Sequence, residues 1–398
     1  MSNLVSDRIQ ALSPSATLAM SQKSQELKAQ GVDVINLSVG EPDFATPDHI
    51  KVAAKEAIDN NFSFYTPVPG YLSLRKAISE KLKKENGVDF APEQIVVGNG
   101  AKHELTNVVM SIVNPGDEVV IPTPAWVSYI QMVILAGGKS VEVPTTMAQN
   151  FKVTPEQLDA AITPKTKLVI LCSPSNPTGS VYSEAELRAL AAVLGKYPKV
   201  MVLADEIYEH INYIGGNFSI ARCEELKDRV CIINGVSKAY AMTGWRIGFV
   251  AAPLWLAKAI TKLQGQSTSG ASSIAQKAAE AAYTGSQQCG EDMRVAFQRR
   301  RDLIVSRLRE IPGLDVNEPD GAFYVFPGVT SFFGKKCGDV VINDANDLAM
   351  YLLNEAHVAT VSGDAFSCPG HIRMSYATSD ENIVEATTRI ATALSKLQ

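Results

Sequence analysis

Cysteine is sparse in this sequence, and its spacing matches no common framework. The chain of 398 residues has six cysteines, and no two of them form a C-x-x-C pair. The five histidines are equally scattered, so no group of cysteine and histidine has the spacing of a zinc site. The pattern argues against a disulfide framework and a structural metal site, and we predict no metal ligands.

Long apolar runs and an excess of basic residues are also missing. No apolar stretch reaches the roughly 18 residues that a membrane span needs. Residues 1–31 lack the charged-then-apolar order of a secretory signal and predict a short arm followed by a polar helix. The net charge of −5 and the pI near 5.7 argue against binding to nucleic acid. We therefore expect a cytoplasmic protein that binds small molecules, with no membrane or nucleic-acid partner.

The middle of the chain alternates short β-rich runs with helical patterns. Five of these runs lead into polar or glycine-containing stretches: EQIVVGN, DEVVIPTP, KLVILCSPSNPTG, KVMVLADEIY and RVCIINGVSK. Continuous apolar strands that alternate with helices predict an α/β fold, in which helices flank both faces of a mostly parallel sheet. In such a sheet, ligands bind beyond the carboxyl ends of the strands.

The C-terminal part has a different pattern. It contains a charged amphipathic helix, several short strand-like runs and a closing stretch with helical period. These features predict a smaller α+β domain. We place the large domain at residues 46–290 and the small domain at 291–398. Residues 1–45 are expected to form an N-terminal arm and part of the small domain.

Four residues with the chemistry of a binding site directly follow predicted strands. They are Gly100, Asn176, Asp205 and Lys238. Any one of them alone is explained by ordinary loop or capping chemistry. Four such residues at successive strand ends indicate a shared site instead.

The stretch SKAYAMTGWRIGF, residues 237–249, sets two cations among small and apolar residues. Buried cations without partners are costly, so Lys238 and Arg246 need an anion or an electrophile. Lys238 is either a surface lysine after a strand or a Schiff-base lysine, whose neutral amine is favoured by burial and by Arg246. The spacing alone leaves both interpretations open.

The motifs SPSNPTG, DEIY and GVSKAYAMTGWRIG, in this order, resemble the fold-type I, class I aminotransferases that use pyridoxal 5′-phosphate (PLP). The resemblance runs from Arg8 to the C-terminus. It is nearest to the bacterial aspartate aminotransferase branch that includes aspartate/prephenate aminotransferases. It implies a fold-type I PLP transferase in which Lys238 is the Schiff-base lysine.

The resemblance also implies roles around the cofactor ring. Asp205 would keep the pyridine nitrogen protonated, with a helix N-cap as its alternative role. Asn176 and Tyr208 would bind the phenolate oxygen, and the Asn176–Pro177 bond is a candidate for the cis form. Trp126 would stack on the ring, with a core tryptophan as the alternative.

A phosphate group needs amide donors at a helix N-terminus and a cation. Gly100, Ala101 and Lys102, in GNGAKHEL, are the candidate amide donors, although the stretch does not have the spacing of a P-loop. Arg246 is the candidate cation, because a guanidinium makes bidentate contacts with phosphate.

Two further phosphate contacts come from the resemblance. Many relatives carry a serine three residues before the lysine, and here that position is Gly235, so Ser237 is the candidate substitute. Tyr65 matches the tyrosine that reaches the phosphate from the neighbouring subunit. The resemblance therefore implies a homodimer with shared active sites.

The substrate needs two anion sites. Arg373, in GHIRMSYA, matches the arginine that clamps the α-carboxylate, and a surface arginine is its alternative. Gly40 matches the glycine whose backbone meets the same carboxylate, beside Trp126 and Asn176. Lys102 is the candidate for the distal carboxylate of aspartate or glutamate.

We therefore predict a PLP-dependent aspartate aminotransferase. It would move an amino group between L-aspartate and 2-oxoglutarate by a ping-pong route through pyridoxamine phosphate, with possible prephenate or aromatic side activity. The branch often has a basic residue directly before PSAT, and here that residue is Ser13. Two alternatives are another PLP reaction on this fold, such as a β-lyase or a cyclopropane-forming synthase, and a non-enzymatic regulator. Lys102 with Arg373 favours dicarboxylic substrates and hence transamination.

Overall fold

A seven-stranded sheet forms the centre of the molecule, for which a computed structural model describes residues 4–398. The strands of the chain are β1 (Ile35–Asn36), β2 (Ile95–Gly98), β3 (Glu118–Thr123), β4 (Lys139–Pro144), β5 (Thr166–Cys172), β6 (Met201–Asp205), β7 (Val230–Gly235), β8 (Gly248–Ala251), β9 (Tyr324–Val325), β10 (Lys336–Cys337), β11 (Val340–Val341), β12 (Val358–Ala359), β13 (Val361–Ser362) and β14 (Ile372–Ser375). The central sheet has the order β2-β8-β7-β6-β5-β3-β4, and only β8 runs antiparallel to its neighbours. The predicted mostly parallel sheet is confirmed.

Residues 4–398 contain thirteen α-helices, several of which cover the two faces of this sheet. They are α1 (Asp7–Gln10), α2 (Ala16–Ala29), α3 (Asp48–Asp59), α4 (Leu72–Lys81), α5 (Ala101–Ile112), α6 (Ser128–Leu135), α7 (Pro155–Ala161), α8 (Glu184–Gly195), α9 (Leu254–Gly265), α10 (Ser273–Thr284), α11 (Gln288–Arg309), α12 (Ala345–Glu355) and α13 (Asp380–Leu394). Helix α8 begins with a capping box. The Ser183 hydroxyl accepts from the Glu186 N–H at 3.3 Å, and the Glu186 carboxylate accepts from the Ser183 N–H at 2.7 Å.

Most strands of the central sheet are apolar on both faces, because helices bury each face; the edge strand β4, with exposed Lys139 and Glu142, is an exception. In β2, Ile95 and Val97 pack into one apolar cluster with α3, α4, α8 and α10, while Val96 packs into the opposite cluster with α5, α6 and α9. The continuous apolar runs of the sequence reflect this double burial.

A smaller set of strands and helices lies beside the central sheet. Strands β13, β14 and β9 form an antiparallel sheet, and α11 packs against α13. Strand β1 pairs in parallel with β12, so the N-terminal segment joins the C-terminal part of the chain. The domain boundaries at residues 45 and 290 stay a prediction. No helix within residues 4–398 is long and apolar enough to cross a membrane.

Candidate active site

A cavity of about 460 Å³ opens at the carboxyl ends of β5, β6 and β7. It is where the parallel-sheet rule places a ligand. Most of the residues singled out in the sequence line it: Gly40, Ala101, Lys102, Trp126, Asn176, Asp205, Tyr208, Ser237, Lys238, Arg246 and Arg373. Gly100 lies directly beside this group, and Tyr65 lies outside it.

Lys238 follows the end of β7 and points into the cavity. Its Nζ donates to the Gly40 carbonyl oxygen at 2.6 Å. Burial lowers its pKa to about 8. The nearby Glu41 carboxylate opposes this shift, and the Arg373 guanidinium adds to it. A substantial fraction of the amine is therefore neutral near physiological pH, which is the nucleophilic form.

Asp205 is the last residue of β6 and is buried. Burial raises its pKa to about 6, and a hydrogen bond from the Tyr129 hydroxyl to Oδ2 at 2.6 Å works in the opposite direction. The other oxygen, Oδ1, accepts from the Ile207 N–H at 3.2 Å. No helix begins at Asp205, so the N-cap alternative does not apply. Tyr129 was missed in the sequence, although it follows Trp126 by three residues at the start of a helix.

Tyr129→Phe is expected to move the acid limb of the pH profile of kcat/KM upward. Loss of the hydroxyl removes a hydrogen bond that favours the Asp205 carboxylate, so its pKa, already raised to about 6, rises further. A hydrogen bond to a charged group corresponds to a shift of about one pH unit. A matched control is Tyr197→Phe, which breaks a tyrosine–aspartate bond of 2.8 Å with Asp159, a residue that does not line the cavity. An acid limb that stays in place in Tyr129→Phe would remove Tyr129 from this role.

Arg373 lies in β14 and is almost completely buried. Its Nη1 donates to Asn176 Oδ1 at 2.9 Å, and its Nη2 donates to the Ser38 carbonyl at 2.6 Å. Its Nε has no partner among residues 4–398. A buried guanidinium with an unpaired donor on the edge of a cavity is suited to a carboxylate. The surface-arginine alternative is excluded by this burial.

Tyr324 is a further residue of the cavity that was not predicted from the sequence. The Arg373 guanidinium lies 4.5 Å from the centre of this ring, and the Tyr324 hydroxyl is 2.8 Å from that of Tyr208. A Cβ atom on Gly40 would lie 2.2 Å from the same hydroxyl, so only glycine fits there. Tyr324 therefore joins three of the predicted site residues.

The N-terminus of α5 forms an anion cradle. Gly100 has φ +90°, which glycine adopts without strain, and a Cβ there would lie 2.3 Å from Arg246 Nη2. The absence of a side chain lets the guanidinium approach the amides of Ala101 and Lys102, which are free in the first turn of a helix. Arg246 itself is exposed on one side and donates to the Thr243 carbonyl at 2.8 Å.

Gly235 does not face the cavity. A Cβ on it would lie 2.8 Å from both Gly248 Cα and the Ile247 carbonyl oxygen across the β7–β8 pair, so a serine there would force these strands apart. Ser237 is buried and lines the cavity. Thr243 of the same stretch also lines the cavity, so the phosphate contact of Ser237 stays a prediction.

Trp126 lines the cavity and is partly buried rather than a core residue. The Lys102 Nζ lies 4.7 Å from the centre of its ring. Burial, followed by the Arg246 charge, lowers the pKa of Lys102. The Asn176–Pro177 peptide is cis.

These residues fit a phosphorylated aldehyde with a protonated ring nitrogen. The α5 cradle with Arg246 fits the phosphate, Asp205 fits the ring nitrogen, and Lys238 fits the aldehyde. A cavity with these residues suits a cofactor that carries an aldehyde and a phosphate, because a lysine can bind an aldehyde covalently.

Comparison with known proteins gives the same result. A family model described as "Aminotransferase class I and II" matches residues 32–390. The chain is 50% identical over 389 residues to an aspartate/prephenate aminotransferase of Cereibacter sphaeroides, and the alignment covers 97% of each chain. It superposes on the aspartate aminotransferase of Rhizobium meliloti with a TM-score of 0.96, at 44% identity and 99% coverage of both chains. An aspartate aminotransferase from Thermus thermophilus solved with maleate matches with a TM-score of 0.92, at 42% identity over 98% of this chain and 99% of the other.

The chain belongs to the class I and II aminotransferases. It is an aminotransferase whose cofactor is pyridoxal 5′-phosphate. The family, the fold class, the enzyme class and the cofactor predicted from the sequence are confirmed.

Proposed function

We propose that this aminotransferase moves the amino group of L-aspartate to 2-oxoglutarate, giving oxaloacetate and L-glutamate. The observation that carries this proposal is the presence of two cations, Arg373 and Lys102, in one cavity with the candidate cofactor lysine. Two separated cations match the two carboxylates of a dicarboxylic amino acid. Relatives named aspartate or aspartate/prephenate aminotransferase support it.

When bound, pyridoxal phosphate supplies an electron sink that stabilises negative charge at the substrate Cα. The α5 N-terminus, Arg246 and Ser237 would hold its phosphate. Asp205 would keep its ring nitrogen protonated, and Asn176 and Tyr208 would bind its phenolate oxygen. Trp126 would cover one face of its ring.

Lys238 is the proposed general base and acid. Its Nζ would remove the proton from Cα of the donor in the first half of the reaction, and in the reverse sequence of the second half it would give a proton to Cα of the acceptor. The pKa of about 8 suits both directions, because the amine accepts and releases a proton near neutral pH. The Gly40 carbonyl, which accepts from Nζ at 2.6 Å, orients the amine.

Arg373 is proposed to bind the α-carboxylate with the backbone at Gly40. Its Nη1 contact with Asn176 Oδ1 joins the substrate cation to a residue proposed to bind the cofactor. Substrate and cofactor would therefore be aligned through one hydrogen bond, which favours a fixed angle between Cα and the ring.

Lys102 is proposed to bind the distal carboxylate. Its ammonium lies over Trp126 at the edge of the cavity and is free of any ion pair within residues 4–398. The Thermus relative was solved with maleate, a four-carbon dicarboxylate. That a relative was solved with a dicarboxylate supports the proposal of a dicarboxylic substrate.

Lys102→Met is expected to lower kcat/KM for aspartate and glutamate by about 10- to 100-fold, since one charge-assisted contact is lost. The values for alanine and tyrosine should change by less than about threefold. The test is a panel of aspartate, glutamate, prephenate, tyrosine and alanine, with Lys102→Arg as the variant that keeps the charge. An equal loss for every donor would assign Lys102 to the phosphate instead.

The same panel addresses the side activities and the nearest rival. Turnover of prephenate or tyrosine would extend the proposal to aromatic substrates, although Ser13 replaces the basic residue of the branch. Cysteine is added to the panel for the lyase, because it has a leaving group at Cβ; its conversion with water to pyruvate, ammonia and hydrogen sulfide would indicate a β-lyase. Formation of oxaloacetate and glutamate in equal amounts supports transamination.

We further propose a homodimer in which Tyr65 reaches the phosphate of the partner subunit. Tyr65 is 99% exposed and does not line the cavity of its own chain, although it matches a phosphate-binding tyrosine of the family. An exposed aromatic side chain is easily explained by contact with a second copy of the chain.

A further inference from the structure

Residues 62–71 form a segment with two exposed aromatic rings. Part of its backbone is hydrogen-bonded to buried side chains. Phe64 is 81% exposed and Tyr65 is 99% exposed. The segment has no helix or strand of its own. Exposed loops of this kind are usually mobile, because few contacts fix their backbone. Here the backbone on the C-terminal side of Tyr65 has unusual partners.

The first partner is Gln276 of α10, which is 0% exposed. Its Oε1 accepts from the Tyr71 N–H at 2.8 Å, and its Nε2 donates to Thr66 Oγ1 at 3.2 Å. The same nitrogen donates to the Ala271 carbonyl at 2.8 Å. One side chain therefore bonds both ends of the stretch from residue 66 to residue 71.

The second partner is Gln264 of α9, which is also 0% exposed. Its Nε2 donates to the Val68 carbonyl at 2.7 Å and to the Val97 carbonyl at 3.0 Å. Its Oε1 accepts from Asn107 Nδ2 at 3.3 Å. Asn107 lies in α5, the helix whose N-terminus forms the anion cradle, so this network connects the cradle helix to the segment.

The segment is further restricted at Gly70. This residue has φ +91°, and a Cβ atom on it would lie 2.9 Å from Val97 Cβ and 3.0 Å from Gln276 Oε1. The Val97 N–H also donates to the Pro69 carbonyl at 3.1 Å. The backbone at Pro69 and Gly70 thus lies directly against β2.

Two fully buried glutamines are costly unless every polar atom is paired. Both side chains here are satisfied, and each bonds the same exposed segment. Paired buried amides fix a single backbone arrangement, because any other arrangement leaves donors and acceptors unpaired in an apolar surrounding. A fixed backbone of this kind is suited to holding the Tyr65 side chain in one position for contact with a second subunit.

We infer that Gln264 and Gln276 are positioning residues that set Tyr65 for the phosphate of the partner subunit. The inference rests on the proposed homodimer. Loss of either glutamine would increase the mobility of the segment. Binding of Tyr65 to the phosphate would then cost additional conformational entropy. Gln276 has no side-chain bond to α5, so after its substitution the weakened cofactor site would lie in the partner, and the subunit that carries the substitution would keep its own affinity.

Mixed dimers test this inference. One subunit keeps Lys238, and the other carries Lys238→Ala, so only the first can form the visible absorption band of lysine-bound cofactor. The readout is the concentration of pyridoxal phosphate that gives half of this band when added to the apo dimer. The substitution is Gln276→Met, because methionine has a similar volume to glutamine and makes no strong hydrogen bonds. It is introduced into one subunit or the other.

Gln276→Met in the Lys238→Ala subunit is expected to raise that concentration by about tenfold, from the loss of two or three hydrogen bonds. In the subunit that keeps Lys238 it should change the value by less than about twofold. Gln287→Met is the matched control. It removes bonds from Gln287 to Ala282, Gly285 and Tyr240 but none to residues 62–71, and should have no effect in either subunit.

Tyr65→Phe in the Lys238→Ala subunit separates two kinds of failure. If it has no effect, the proposed role of Tyr65 across the dimer is wrong. If it weakens binding while Gln276→Met does not, the positioning role of the glutamines is overturned. An equal effect of Gln276→Met in both subunits would also overturn it. Thr66→Val, which removes the hydroxyl that accepts from Gln276 Nε2 at 3.2 Å, gives the same test if the Gln276 variant does not fold.

Discussion

Lys238→Ala is expected to lower kcat/KM for aspartate by about 10⁴-fold or more. The substitution removes both the amine that would bind the cofactor and the base that would move the Cα proton, and a positioned base alone contributes up to about 10⁴-fold. The purified variant should also lack the yellow colour of the wild-type protein. Both properties are measured on the same preparation, by steady-state kinetics and by absorption spectra.

Lys238→Arg is the control for charge. It keeps a cation beside Gly40 and Asp205 but cannot offer a neutral amine, since a guanidinium stays protonated. We expect it to be as inactive as the alanine variant. A colourless Lys238→Ala protein with unchanged turnover would show that the reaction does not use this lysine.

Arg373→Lys is expected to lower kcat/KM by about 10²- to 10³-fold for every amino-acid donor. Lysine keeps the charge but loses the planar fork that contacts Asn176 and the Ser38 carbonyl at once. The loss of one or two hydrogen bonds to a charged carboxylate, at roughly 1.5–3 kcal/mol each, corresponds to about this range. The measurement is kcat/KM for aspartate and for alanine.

Two readouts distinguish this role from a general effect on the fold. The cofactor affinity of Arg373→Lys should change by less than about threefold, because the α5 cradle, Arg246 and Lys238 are intact. Loss for aspartate alone, with alanine unaffected, would place Arg373 at the distal carboxylate. That result would also reverse the proposed roles of Arg373 and Lys102.

The sheet and much of the site follow from local sequence. Apolar runs with continuous hydrophobicity predict strands buried on both faces, and the residue after each run lies at the ligand-binding edge. Asp205 and Lys238 were found in this way, because their position depends only on where a strand ends. The capping box at Ser183 is equally local.

The remaining parts depend on packing between distant segments. The Tyr324 hydroxyl meets that of Tyr208 across 116 residues of sequence, and no local pattern predicts this contact. The glycine at position 235 has a physical reason only when β8 lies beside β7, because Gly248 occupies the space of its side chain. The proposed contact of Tyr65 with the phosphate of a partner subunit involves a second chain, so local sequence patterns do not predict it.

Borohydride reduction of the holoprotein followed by peptide mass spectrometry tests the role of Lys238 most directly. Reduction converts the link between cofactor and lysine into a stable secondary amine. We expect one phosphopyridoxyl group per chain, on the peptide that carries Lys238, and none on the Lys238→Ala protein. Modification of Lys102 or another lysine, with the Lys238 peptide unmodified, would contradict the site described above.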